Sequence, residues 1–275
     1  MSDQLAVTYR ARNGRPPANL ELQLSPSGET TVFLGTSFSL PGERSSRVGC
    51  FAGPAPEPLR AELLAYVERN DLLGRGGTFG QPSPSVPGRF AELKLGERTA
   101  EYKFAEMTAG MEIDRFERML QGLSRAMLDY PRGAAEASLE LERKGSNVEA
   151  AVVLTSIGSG PMDVLLHDPA EPLYTLFVGV ELAGHMKMAN GVTIPLDFGT
   201  GAMEPDTLSA MVEDGTLPTG ITRLPPGMRL RFPTRALEVP AEAADVHATG
   251  RVEFWWPEGR ARTSLIALTP DIEVI

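Results

Sequence analysis

The feature that most constrains the fold of this chain is a succession of short strand-like runs that fills its second half. The runs are apolar or β-branched, are separated by Gly, Pro, Asn and Asp, and comprise Ser138–Glu142, Val148–Thr155, Met162–Leu166, Tyr174–Leu182, Gly191–Leu196, Met228–Phe232, Arg251–Trp256 and Thr263–Leu268. Helical periodicity is nearly absent there, and only Asp206–Glu213 is predicted to form a short helix. Because parallel strands need long, usually helical crossovers, these runs predict an antiparallel β-sandwich.

The first half alternates strand pairs with helices. Period-two alternation and turn residues predict a strand over Leu5–Arg10 and two hairpins, Leu20–Leu24 with Thr30–Leu34 and Arg89–Leu95 with Thr99–Phe104. Helical spacing of apolar residues predicts one helix from Pro58 to about Leu73 and a second that buries Ile113, Phe116, Leu120, Leu123 and Met127. Between these two hairpin-helix units, Gly74–Gly88 is dense in Gly, Pro and Ser and is predicted to be a flexible connector.

The Pro131-Arg132-Gly133 stretch ends the second predicted helix and marks the best domain boundary in the chain. We therefore predict an α+β protein of two domains. Residues 1–134 form an antiparallel sheet with two helices, and residues 135–275 form an all-β sandwich.

The turns of the second half resemble those of bacterial immunoglobulin-like domains. A strand, the turn Thr155–Pro161 and a strand containing Val164 are similar to the strand, N-x-G-x-x-P-V-type turn and strand of such domains. Leu224–Gly227, ahead of the alternating Met228–Phe232, is similar to the proline-glycine turn before one of their later strands. This resemblance spans Glu136–Ile275 and implies an immunoglobulin-like sandwich in which Gly158–Pro161 is a hairpin turn. Since its motifs are turns, it implies architecture and not activity.

The first half resembles the emfourin family of metalloprotease inhibitors at two points. The run Val48–Gly53 is similar to the family's glycine-Phe-Ala-Gly turn, and Gly88-Arg89-Phe90 is similar to its Arg-Phe strand start, in the same order along the chain. The chain departs from the pattern by placing Cys50 between glycine and phenylalanine and by adding a second domain. The resemblance implies an inhibitor that presents a rigid loop such as Val48–Pro54 to a protease cleft, but no inhibitory residue is carried over from it.

Charge and composition narrow the classes of partner. Residues from Glu136 onward carry 10 Lys and Arg against 20 Asp and Glu, which accounts for the whole net charge of −10. This acidic half would repel phosphate backbones, so we predict no nucleic-acid binding. No apolar run approaches the roughly 20 residues of a membrane span, so none is expected. Because the polar start resembles no secretory signal and the only cysteine, Cys50, has no internal disulfide partner, we predict a cytoplasmic protein.

Candidate chemistry is sparse. The three histidines, His167, His185 and His247, stand at no short metal-binding spacing, and we predict neither a metal nor a cofactor. His167 and Asp168 would point to opposite sides of a continuing strand and precede Pro169, which favours a loop over a catalytic pair. Enzymatic activity is thus not expected, although a site formed near the domain junction by Asp168, His185 and Asp197 stays open.

Two places could instead contact another protein. Cys50 and Phe51 lie in the emfourin-like run, and Trp255-Trp256 is the densest aromatic point, where a strand would turn one indole inward and the other outward. We therefore predict a non-enzymatic protein-interaction role, with the partner and the oligomeric state unspecified. A protease inhibitor is the leading alternative, and an enzyme or small-ligand binder is the third.

Overall fold

The computed structural model describes residues 5–13, 18–35, 47–79, 88–104, 111–171, 175–259, 261–268 and 272–273. The chain divides into two compact units, one of Met1–Glu43 with Val48–Ala134 and one of Arg44–Arg47 with Ala135–Ile275. Strands dominate both units and helices are few, so the fold is α+β. None of the helices in the described ranges is long and apolar enough to cross a membrane.

The first unit is an antiparallel sheet with two helices. Its strands are β1 Leu5–Asn13, β2 Ala18–Leu24, β3 Glu29–Gly35, β4 Arg47–Pro54, β5 Gly77–Phe79, β6 Arg89–Leu95 and β7 Arg98–Phe104, and its helices are α1 Glu57–Arg69 and α2 Met111–Ala126. The spatial order is β4-β3-β2-β1-β6-β7-β5. In the described part of this sheet neighbouring strands pair antiparallel, except that β5 pairs with β7 in parallel.

Local patterning predicted most of this unit. Both hairpins are confirmed, as β2 with β3 and β6 with β7. All five residues of the predicted apolar face of the second helix are buried. The connector prediction is wrong at Gly77–Phe79, which forms a strand paired with β7. The Phe79 ring also stacks on Tyr102, with 5.4 Å between the ring centroids. Residues 80–87 of that connector lie outside the described part of the chain.

The expectation that Val48–Pro54 is a presented loop is wrong. The segment is β4, which pairs along its length with β3. Val48 and Phe51 are fully buried, and the Tyr130 ring lies against Gly53. The apolar residues that made the run look like a distinctive turn are therefore core residues of a sheet strand.

The second unit contains two sheets and one helix. Its elements are β8 Pro131–Lys144, whose residues up to Ala134 belong to the first unit, β9 Asn147–Ile157, β10 Met162–Leu165, β11 Phe177–Lys187, β12 Thr193–Ala202, α3 Pro205–Glu213, β13 Ile221–Leu224, β14 Arg229–Pro233, β15 Leu237–Glu238, β16 Asp245–Trp256, β17 Ala261–Leu268 and β18 Ile272–Glu273. One sheet places β8, β9 and β14 side by side, with β15 also on β9. The other, seven-stranded among the described residues, has the order β12-β11-β16-β10-β13, with β17 and β18 on β16.

One prediction about a connection needs correction. Gly158–Pro161 is not a hairpin turn, because β9 pairs with β14 whereas β10 pairs with β13 and β16 in the other sheet. The stretch is a corner between sheets, and Gly158 takes a φ of 101° there. Pro131–Gly133 follows the end of α2 as predicted, and it opens the long strand β8.

The outer edge of the second sheet is interrupted by a proline. The Met188 N–H bonds the Val192 carbonyl at 2.7 Å, and alternation from there makes His185 and Pro195 a non-hydrogen-bonded pair. Strand β12 is the terminal strand of this sheet, and the backbone nitrogen of Pro195 faces its open side. At this position the edge therefore has no N–H that could hydrogen-bond to an added strand.

We expect Pro195→Thr to increase association between copies, because it restores a donor on this exposed edge. Light scattering across a concentration series should show larger species for the variant than for the wild type. The double variant Thr193→Pro/Pro195→Thr moves the block two residues along the same edge and should restore the wild-type behaviour. Equal scattering by Pro195→Thr and wild type would show that the edge is protected in another way.

Candidate interaction surface

An exposed apolar row crosses the outer face of the second sheet. Strand register places Leu165 between Ile221 of β13 and Trp255 of β16. Ile221 is 67% exposed and Trp255 is 38% exposed, while Leu165 is half-buried between them. These three residues, called the apolar row below, share one face because directly paired residues point the same way.

Charged residues frame the apolar row. Arg223 of β13 donates two hydrogen bonds to Asp163, at 2.9 and 3.1 Å, and these hold the pKa of that carboxyl below its usual range. Glu253 contacts both Arg251 and Arg262, the latter at 3.0 Å. Paired charges of this kind favour one side-chain geometry around the row.

A second exposed aromatic lies on the same face. Phe177 of β11 is paired with Glu253 and is 43% exposed. The guanidinium of Arg251 lies 5.9 Å from the centre of its ring, within the range of a cation–π contact. The face therefore offers two exposed aromatic rings, one of which lies against a cationic group, and both residue types are enriched at protein interfaces.

The two tryptophans separate as strand alternation predicts. Trp256 is 1% exposed and fills the core, where Gly259 lies so close to its ring that a Cβ would overlap it. As a candidate partner-binding residue Trp256 is thus excluded by burial, and Trp255 is not. The same correction applies to the other candidate pair, since Phe51 is fully buried and Cys50 is half-exposed on β4.

Two of the three candidate ligand-site residues share a sheet face, and the third belongs to a local turn. His185 and Asp197 lie on one face of β11 and β12, since Ala183 is the direct partner of Asp197. His185 is joined there by Asp245, whose carboxylate lies 2.6 Å from its Nε2, and by His247, with 6.2 Å between the ring centroids. Asp168 serves a local turn, where its carboxylate accepts the Ala170 N–H at 2.9 Å.

These groups do not make a metal centre. Within the described ranges, no three His, Cys, Asp or Glu side chains are placed to hold a metal ion. Asp245 and His185 form a cross-strand pair that the sequence did not suggest. The two residues are 60 positions apart in sequence and become neighbours only through the register of β11 with β16. Such a pair stabilises the sheet without requiring a substrate.

A depression of about 300 Å³ lies on the sheet of the first unit. Its lining comprises Thr8, Arg10, Phe90, Ala91, Glu92, Glu101, Tyr102 and Lys103. Acidic and basic side chains alternate there, so the lining has no single sign that would select an ionic ligand. The exposed ring of Phe90 is the main apolar feature of this depression.

A buried polar cluster in the first unit was missed from the sequence. The Tyr9 hydroxyl donates to Glu117 at 2.8 Å, and Arg89 lies 3.4 Å from the same carboxylate. Burial raises the pKa of Glu117 above its usual value, and burial also raises the pKa of Tyr9. The available signal was that Glu117 lies four residues after Ile113, on the apolar face of α2.

Comparisons with known proteins add little. No family model matches the sequence, and no curated protein matches it. One similar solved structure, described as the X-ray structure of Northeast Structural Genomics Consortium target SoR45, is 12% identical and covers 51% of this chain and 83% of its own. Its TM-score of 0.23 is too low to support a conclusion about fold or function.

Proposed function

We propose that this chain is a non-enzymatic protein-binding module whose second unit is an immunoglobulin-like sandwich. The observation that carries the proposal is the apolar row, in which Trp255 and Ile221 stay exposed on a regular sheet with Leu165 between them. Single exposed apolar side chains are common on protein surfaces and need no explanation. Adjacent exposed apolar side chains surrounded by charged residues are typical of binding surfaces.

The fold supports a binding role through its rigidity. The row lies on three hydrogen-bonded strands, so its side chains lose little backbone freedom when a partner docks. Tryptophan is enriched among residues whose truncation weakens protein complexes most. We propose the cytoplasm as the compartment, because Cys50 has no second cysteine with which to form an internal disulfide.

The alternatives have weaker support. A protease inhibitor of emfourin type would need a presented loop, and Val48–Pro54 is the strand β4. An enzyme would need groups that converge on a substrate, and His185 is engaged with Asp245 in a cross-strand pair. Inhibition of a thermolysin-like protease would revive the inhibitor hypothesis.

We expect Trp255→Ala/Ile221→Ser to abolish capture of the physiological partner by the immobilised protein. Truncation of a central interface tryptophan costs about 2 kcal/mol or more, which corresponds to roughly 30-fold in affinity. Quantitative mass spectrometry of captured proteins, followed by calorimetry with the purified protein that is lost, measures this effect. The matched control is Phe90→Ala, which removes an exposed aromatic from the first unit and should leave capture unchanged.

If every protein captured by the wild type is captured to the same extent by Trp255→Ala/Ile221→Ser, the apolar row is not the binding surface. Melting curves identical to wild type for the double variant would exclude loss of folding as a cause of any difference.

A further inference from the structure

Strand β17 leaves one of its two sides open at an edge of the second sheet. Its eight residues, Ala261–Leu268, pair with β16 along one side, and no strand in the described ranges pairs with the other side. The edge at β12 is interrupted by Pro195, and the edge at β13 is only four residues long, whereas β17 contains no proline. An added strand would therefore meet no such block along β17.

The backbone of β17 directs every second residue toward the open side. The Met203 N–H donates to the Val178 carbonyl at 3.1 Å, so even-numbered residues of β11 bond β12 and odd-numbered residues bond β16. Odd-numbered residues of β16 are their direct partners, which leaves the even-numbered residues of β16 to bond β17. These pair with odd-numbered residues of β17, and the N–H and C=O groups of Arg262, Ser264 and Ile266 therefore point toward the open side.

The same three residues place their side chains on the face of the apolar row. Arg262 is the direct partner of Trp255, and alternation puts Ser264 and Ile266 on the same face. Because Trp255 also pairs with Leu165, the apolar row continues through Arg262 to the open edge. A strand added there would extend the candidate interaction surface by one further strand.

The charges beside this edge favour an acidic segment. The buried carboxylate of Glu253 contacts the guanidinium groups of both Arg251 and Arg262, so one acid is shared by two bases. The hairpin segment 251–268 carries three Arg against two Glu, although the residues from Glu136 onward carry 10 Lys and Arg against 20 Asp and Glu. A carboxylate placed opposite Arg262 on an added strand would be attracted to this locally basic edge.

A second copy of this chain fits the edge less well. Ala261–Leu268 contains no acidic residue, so pairing of two β17 strands would supply no carboxylate to Arg262. The acidic second halves of the two copies would also repel each other.

We propose that β17 binds an extended acidic segment of a partner protein by strand addition. Backbone hydrogen bonds form to Arg262, Ser264 and Ile266, and a carboxylate of the segment lies opposite Arg262. Main-chain bonds give such complexes affinity, and alternate side chains give them specificity. This inference rests on the proposed protein-binding function and names the kind of partner segment for the edge that adjoins the apolar row.

The test uses the full chain and three synthetic peptides. A labelled peptide that alternates Val and Glu should bind in fluorescence anisotropy. The same peptide with methylated backbone nitrogens should not bind, because it cannot donate the ladder hydrogen bonds. The Val/Lys counterpart should bind more weakly than the Val/Glu peptide, because it places like charge opposite Arg262.

Two variants at one position separate the backbone from the side chain. Ser264→Pro removes an N–H from the open edge and should weaken binding of the Val/Glu peptide by about tenfold or more, because a carbonyl of the peptide loses its donor. Since the Ser264 N–H does not bond β16, the β16–β17 ladder is retained. The matched control Ser264→Ala removes only the hydroxyl that accepts from Arg251 at 3.0 Å, and should leave affinity unchanged.

The inference is overturned if the Val/Glu peptide does not bind, if its methylated or Val/Lys form binds equally well, or if Ser264→Pro binds like wild type. If Ser264→Pro does not fold, the methylated and unmethylated peptides decide the question on the wild-type protein. A wild-type dimer in sedimentation that Ser264→Pro dissociates would assign the edge to a second copy instead. Partner capture that is lost in Trp255→Ala/Ile221→Ser but kept in Ser264→Pro would support the proposed protein-binding function and overturn strand addition.

Discussion

Replacement of Gly49 by Ala is expected to destabilise the first unit by about 3–5 kcal/mol. Gly49 has a φ of 129°, a conformation that side chains other than glycine rarely adopt, and such strain costs about 1–3 kcal/mol. An added Cβ would also overlap the Cα of Ala134 and the carbonyl oxygen of Gly133, and overpacking costs about 1–3 kcal/mol more. Since both clashing atoms belong to backbone, rotation of a side chain cannot relieve them.

Urea and thermal unfolding of Gly49→Ala and Gly122→Ala measure this effect with a matched control. Gly122 lies in α2 with open space around its Cβ position, so alanine there should stabilise the protein by about 0.5–1 kcal/mol. We therefore expect the two Gly→Ala variants to change the free energy of unfolding in opposite directions. A loss below about 1 kcal/mol for Gly49→Ala would show that β4 and the start of β8 are not packed as described.

Replacement of Glu117 is expected to cause the second large loss of stability. Glu117→Ala should cost about 3–5 kcal/mol, because it removes the acceptor of the Tyr9 hydroxyl and the carboxylate that faces Arg89 in a buried site. Tyr9→Phe should cost less, about 1–3 kcal/mol, because the carboxylate loses one donor but keeps Arg89 nearby. Chemical unfolding at neutral pH measures the free energy of unfolding of each variant, and Glu117→Ala should be the less stable of the two.

The pH dependence of this site has a definite sign. Burial raises the pKa of Glu117, so the folded protein holds this proton more tightly than the unfolded chain does. The resulting stabilisation is complete below the ordinary value of 4.5 and is lost as pH rises through the raised pKa. Glu117→Gln lacks this contribution, and its stability deficit relative to wild type should shrink as pH increases above that value. A deficit that grows with pH instead would contradict a raised pKa.

Sequence periodicity predicted the secondary structure of the first unit better than it predicted which residues form the candidate interaction surface. The two hairpins of the first unit and the buried face of α2 were predicted because period two and period 3.6 are written in neighbouring residues. Alternation also predicted that one of Trp255 and Trp256 is buried, but it could not identify which. Trp256 is the buried one because β16 turns it toward the core beside Gly259.

The remaining features depend on which strands pair. Gly158–Pro161 reads locally as a turn, but only the partners of β9 and β10 make it a corner between sheets. The apolar row joins residues 165, 221 and 255, and Tyr9 meets Glu117 across 108 positions. Local sequence patterns were sufficient for the two hairpins of the first unit, the apolar face of α2 and the acidic second half, but not for the strands β4 and β5. Which exposed side chains become neighbours depends on long-range strand register, and no local period in the sequence encodes that register.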